Sequence, residues 1–158
     1  MQPSIITKLT DRIDQNLSSL VVELQDLGVS HVGHGLILDG KIPTAYFSAP
    51  EWADRYEAED LVSRDPIRAC ALKENYHIIP WDCIPATKKQ KVVLEERKRV
   101  FQARSGILIS IKHPSFHETF AIGCSSKKYD IFHLLNKDKN SILSYLLKFR
   151  AEHLSYYR

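Results

Sequence analysis

Cysteine is scarce in this 158-residue chain: Cys70, Cys83 and Cys124 are an odd set of three, and no two share C-x-x-C spacing. That usage argues against a disulfide framework and a zinc site, and suits reduced thiols in a cytoplasm. Charge of one sign is lacking too. The 22 Lys+Arg and 19 Asp+Glu leave +3, too little by itself to imply a nucleic-acid partner. No apolar run nears the roughly 18 residues of a membrane span. The start, MQPSIITK, has neither the charged head nor the apolar core of a signal peptide. G-x-S-x-G, a Walker loop and H-E-x-x-H are all missing, so no catalytic set and no cofactor is expected. Cys83 follows Asp82 and has His77 nearby, so a Cys–His nucleophile can be imagined, yet a buried inert cysteine is the commoner case.

What is present is an ordinary globular composition, 44% apolar and 26% charged. The length suits a single domain, 1–158, without a helix-turn-helix module. Ile6, Leu9, Ile13, Leu17, Leu20, Leu24 and Leu27 recur at helical steps, and Gly28 ends the stripe. Residues 31–48 change period, and Asp39-Gly40 between two extended runs is a hairpin signal. Pro43 favours an edge position for the second arm. His31 and His34 would face opposite sides of a strand, which speaks against a shared metal. Helices are expected over Pro50–Leu61 and Pro66–Lys73, with an extended segment at Tyr76–Ile79.

A further helix starts near Ala86 or Thr87 and ends before Gly106, carrying Val93, Leu94, Arg97, Val100 and Phe101 along one side. Its charges, from Lys88 to Arg99 and including Arg97, alternate enough in sign to read as a solvated face. Strands follow at Gly106–Lys112 and Thr119–Cys124 around a His113–Glu118 turn, and a C-terminal helix begins near Tyr129. Its apolar side (Ile142, Leu143, Leu146, Leu147, Phe149, Leu154) would pack on the sheet or serve as a dimer seam. Helices on both faces of a mostly antiparallel sheet satisfy these patterns, an α/β/α sandwich.

The stretch Phe47–Asp82 organises the chain. Trp52 and Tyr56 sit four apart after Pro50, Asp65-Pro66 restarts the chain, and Trp81 returns beside Pro80. Singly, Asp65 is an N-cap and the aromatics are core; jointly, they could line an apolar pocket with convergent polar groups. This spacing resembles the autoinducer-binding domain of LuxR-type quorum-sensing regulators. RSGILISIK (Arg104–Lys112) and LGVS (Leu27–Ser30) are similar to that family's segments too, so the resemblance runs from about Ile5 to Tyr156.

The resemblance implies a small-molecule sensor for an N-acyl homoserine lactone or a related amphipathic signal. Asp65 would accept the ligand's amide N–H, and Trp52 would donate its indole N–H to the lactone carbonyl. Tyr56 and Trp81 would wall the pocket, with Ile67 and Phe101 as apolar lining. Ser48 stands where the family has a Tyr, too short to reach the acyl carbonyl directly. Gly123 replaces a late-strand hydroxyl, and Gln102 replaces a glycine. The expected partners are the signal and a second, related chain in a homodimer or heterodimer, with no DNA contact by this domain alone. The alternative is a stand-alone domain that acts by dimerising with a full-length regulator, without a lactone. Because Asn caps a helix nearly as well as Asp, Asp65→Asn is expected to cost little stability.

Overall fold

The apolar stripe near the N-terminus becomes helix α1, Asp11–Asp26, whose buried face is Ile13, Leu17, Val21 and Leu24. It is shorter than the stripe: Leu9 enters the same core ahead of the first turn, while Ile6 packs in a different one. Gly28 ends the helix at φ +104, a backbone conformation L side chains rarely adopt. The computed structural model describes residues 6, 8–73 and 76–158, and of Tyr76 and His77 the backbone alone, so the imagined His77 side chain lies outside the described residues.

Strands β1 (Val29–Leu38) and β2 (Thr44–Phe47) form the expected hairpin around Asp39-Gly40, with Gly40 at φ +70. Pro43 immediately precedes β2, an edge strand, where the missing proline N–H costs no ladder bond. Helix α2 (Pro50–Ala58) is followed by a 3-10 turn, Leu61–Arg64, and by α3 (Pro66–Ala71). Then come β3 (Tyr76–Pro80), a 3-10 turn at Trp81–Cys83, and α4 (Lys88–Val100). Thr87 and Gln90 close a reciprocal capping box at the start of α4.

Strands β4 (Ser105–Lys112) and β5 (Phe116–Cys124) lead into α5 (Ile131–Leu154), which is interrupted by non-helical angles at Asp138. The turn between β4 and β5 is shorter than expected. Lys112 already pairs with His117, so Glu118 is a strand residue inside the protein.

One sheet runs β2-β1-β5-β4-β3 with every neighbouring pair antiparallel. Strand alternation splits its side chains between two cores. Val32, Phe120 and Ile122 face α1 and α5, while Leu108 and Ala121 face α2, α3 and α4. The architecture is thus an α/β/α sandwich. A register shift between Val29 and His31 bends β1 where it pairs with β5. His31 and His34 point to opposite faces, His31 towards Trp81 and Phe101, and His34 towards Phe120 and Phe149.

Candidate functional site

Pro50 at the first helical position starts α2 and sets Trp52 and Tyr56 on one buried face. Asp65 caps α3, its Oδ1 accepting from the Ile67 N–H at 2.9 Å. Its other oxygen does more than a cap requires. Oδ2 accepts from the Tyr56 hydroxyl at 2.8 Å and from Nη2 of Arg97. Asp65 is 3% exposed and Arg97 1%, so this is a buried ion pair between the α3 cap and the last turn of α4.

The rest of the guanidinium is held by ring faces. It lies 5.3 Å from the Trp52 ring centroid, 5.6 Å from that of Phe47 and 5.9 Å from that of Tyr56, within cation–π range. His31 completes the cage. Its Nδ1–H donates to the Ala121 carbonyl at 2.9 Å, which leaves Nε2 as the acceptor facing Arg97 Nη1 at 3.4 Å. Burial, and then the Arg97 charge, hold this imidazole well below its usual pKa of 6.5, so it is neutral. Burial, and then the Asp65 charge, push the Tyr56 hydroxyl well above its usual 10, so it remains a donor.

Trp81 meets His31 edge-on and lies against Gly106, where any Cβ would fall inside the indole. Phe101 stacks at a tilt on His31, with centroids 3.8 Å apart. Three buried N–H groups in this neighbourhood have no hydrogen-bond partner among the described residues: Nε1 of Trp52, Nε1 of Trp81 and Nε of Arg97. All three are donors, and an unpaired buried donor is the exception in a folded protein.

Beside the cage is a cavity of about 60 Å³ between the sheet and α3. Its walls include Tyr56, Asp65, Ile67 and Arg97. Its floor is made by small residues on the same face of the sheet, Gly33, Gly35, Ala45 and Ala121. A Cβ on Gly35 would sit 2.7 Å from the Thr119 hydroxyl, so the space depends on that glycine.

The structure gathers Trp52, Tyr56, Ile67, Trp81 and Phe101 into one buried cluster with Asp65 beside it. Of the seven residues singled out from the sequence, Tyr56, Asp65 and Ile67 line the cavity. Trp52, Trp81 and Phe101 stand behind Arg97 and His31. Ser48 does not line that cavity: its hydroxyl accepts from the Val32 N–H at 3.0 Å, and it lines an adjoining recess that shares Ala45, Phe47 and Tyr56 with it. Cys83 is exposed on the turn after β3.

Arg97 corrects the sequence reading of a solvated charged face. It occupies the Val93–Phe101 side of α4, and a charge at an apolar helical position has to be paired when buried. That position was the available signal. His31 gave none, because only the pairing of β1 with β5 and the packing of α4 bring it to Arg97.

On the other face of β1 lies a second buried polar chain. Glu118 is fully buried and accepts from His34 Nε2 at 2.8 Å, from Arg150 Nε at 2.8 Å and from His113 Nε2 at 3.1 Å. Burial pushes its carboxyl upward, but the bonds from His34 and Arg150 outweigh that and hold its pKa at about 2. His34 Nδ1 lies 2.9 Å from Nδ1 of His153, whose Nε2 lies 2.8 Å from the Thr44 hydroxyl. Two neutral imidazoles satisfy this chain. His153 donates to His34, and Thr44 donates to His153.

No family model matches the sequence, and no curated protein matches it. Solved structures do resemble the fold. The LBD domain of VqsR from Pseudomonas aeruginosa aligns with a TM-score of 0.55 at 13% identity, over 89% of this chain and 93% of that one. CepR2 from Burkholderia cenocepacia, an N-acylhomoserine lactone dependent LuxR family transcription factor, aligns with a TM-score of 0.58 at 13% identity, over 92% and 90%. SdiA from Escherichia coli aligns at 0.55 and 14% identity, over 89% of this chain and 63% of that one. At such identities the likeness is one of architecture, and the chain has the fold of the LuxR-family autoinducer-binding domains.

Proposed function

We propose that this chain is the signal-sensing domain of a LuxR-type transcription regulator and takes a small molecule in the cavity between the sheet and α3. The observation that carries this reading is the half-open, mostly apolar cavity with the Asp65–Tyr56–Arg97 cluster in its wall. Apolar walls with a few convergent polar groups are the usual make-up of a small-molecule site. The domain is a binding module rather than an enzyme, and makes no DNA contact by itself.

Size limits the occupant. The cavity's 60 Å³ is far below the roughly 300 Å³ at which drug-sized ligand sites begin. A long acyl homoserine lactone therefore requires the walls to open. The test is calorimetric titration and thermal melting against acyl homoserine lactones, fatty amides and fatty acids of increasing length. Saturable binding is expected, and Ala45→Leu, which fills the floor, is expected to abolish it.

A second reading is favoured by Arg97, which already supplies Asp65 with a charged partner inside the protein. In that reading the domain folds without a signal and acts by pairing with a second LuxR-type chain, in a homodimer or heterodimer. No saturable binding in the panel, together with co-purification with a full-length regulator, would favour it.

A further inference from the structure

The charges in the cavity wall do not cancel. Asp65 is neutralised by Arg97, and its oxygens already accept three hydrogen bonds. A second arginine, Arg68 on α3, lines the same cavity, half-buried and with no hydrogen-bond or ion-pair partner among the described residues. Arg97 adds an unpartnered Nε–H, buried and belonging to the same wall. The uncompensated charge here is thus cationic, and the spare arginine N–H groups are donors. A ligand amide N–H would meet an acceptor already bonded and neutralised, whereas a carboxylate would meet an unpaired guanidinium and a spare donor.

We propose that the cavity selects a compact carboxylate, a short aliphatic acid, over an amide-bearing lactone. This rests on the sensing reading above. The carboxylate faces Arg68 and the Nε–H edge of Arg97, and the tail lies over the glycine floor of β1. Arg is suited to this because its planar donors match a carboxylate. A volume of 60 Å³ has room for only a handful of water molecules, at roughly 10–15 Å³ each on the same measure, which restricts the tail to a few carbons.

The test uses the 158-residue chain and n-butyrate, with n-butyramide and N-butyryl homoserine lactone as matched neutral probes. Titrations at pH 7 are expected to show butyrate binding at least roughly ten-fold tighter than either neutral probe. Arg68→Gln is expected to weaken butyrate by roughly ten-fold or more, and Arg68→Lys to restore part of it. Both variants are expected to melt within a few degrees of the parent, because Arg68 holds no hydrogen-bond or ion-pair partner among the described residues. An amide or lactone that binds as tightly as butyrate overturns the carboxylate proposal and leaves the sensing reading standing. Butyrate affinity unchanged in both Arg68→Gln and Ala45→Leu places the acid elsewhere on the molecule and overturns it as well. If no probe of the acid, amide or lactone series binds, at any chain length from acetate to octanoate, both the proposal and the sensing reading fall.

Discussion

Arg97 and Asp65, 32 positions apart, meet inside the protein with no more than 3% of either side chain exposed. The carboxylate that caps α3 is thereby also the counter-ion of α4, and the pair draws Tyr56, Trp52, Phe47 and His31 around it. Local capping and long-range electrostatics converge on one residue, which makes the two roles separable by mutation.

Arg97→Met keeps an unbranched apolar stem but removes the guanidinium and strands a buried carboxylate. Removing one member of a buried pair costs about 3–5 kcal/mol, and that loss is expected in urea unfolding. The double variant Arg97→Met, Asp65→Asn is expected to recover much of it, because neither charge is then left alone. A single-variant loss under about 1 kcal/mol, the range of an exposed pair, would mean that the pair is not desolvated.

The structure revises the expectation that Asp65→Asn is nearly silent. Asn can still accept from the Ile67 N–H, so the cap survives, but Arg97 loses its counter-ion in a dry site. The variant is expected to lose several-fold more stability than the few tenths of a kcal/mol of a cap exchange. Urea unfolding of Asp65→Asn, and of Asp65→Asn placed on Arg97→Met, reads the difference directly. Equal costs in the two backgrounds would show that only the cap matters.

Gly106→Ala is expected to destabilise by about 1–3 kcal/mol or more, as overpacking in a core does. The new methyl group would fall within the Trp81 indole, which is 1% exposed and backed by His31. Tryptophan fluorescence would shift as Trp81 is displaced, whereas an unchanged spectrum and melting temperature would show that the ring has room to move.

Three buried histidines make stability fall on the acid side. Burial is the leading cause that holds His31, His34 and His153 below the usual 6.5. The unfolded chain therefore binds protons first. Stability is fully present above about pH 6.5 and declines as pH falls below it. A second loss follows below the ordinary carboxylate range, down towards pH 2, where Glu118 titrates in the folded protein. Unfolding measured between pH 8 and 4 (roughly the span of the histidine effect) is expected to show this slope, and His153→Gln to flatten it. A flat profile in the parent would contradict neutral buried imidazoles.

Thr87→Ala removes the side-chain half of the capping box of α4, in which Thr87 Oγ1 accepts from the Gln90 N–H at 3.2 Å. The expected cost is about 1 kcal/mol, read by thermal melting. Since α4 carries Arg97, the same variant is expected to weaken ligand affinity only through stability, leaving binding well below the melting temperature unchanged.

Local chemistry was enough to place most elements. Asp39-Gly40 required a hairpin because its backbone suits the tight turn, Gly28 required a helix end because its φ is positive, and Thr87 with Gln90 began α4 through their own hydrogen bonds. Two-residue alternation likewise separated His31 from His34. The spacing Trp52–Tyr56–Asp65–Trp81 marked the residues that now share a core, and the α/β/α arrangement followed from which faces had to be buried. Tertiary structure alone decided that Arg97 is an internal cation, that Glu118 is a buried anion rather than a turn residue, and that Ser48 supports the backbone of β1 instead of facing the cavity. The physical reason is distance along the chain. A cap or a turn is fixed by atoms within a few residues of one another, whereas a charge is solvated or buried according to partners 32 and 84 positions away, which meet only when sheet and helices close.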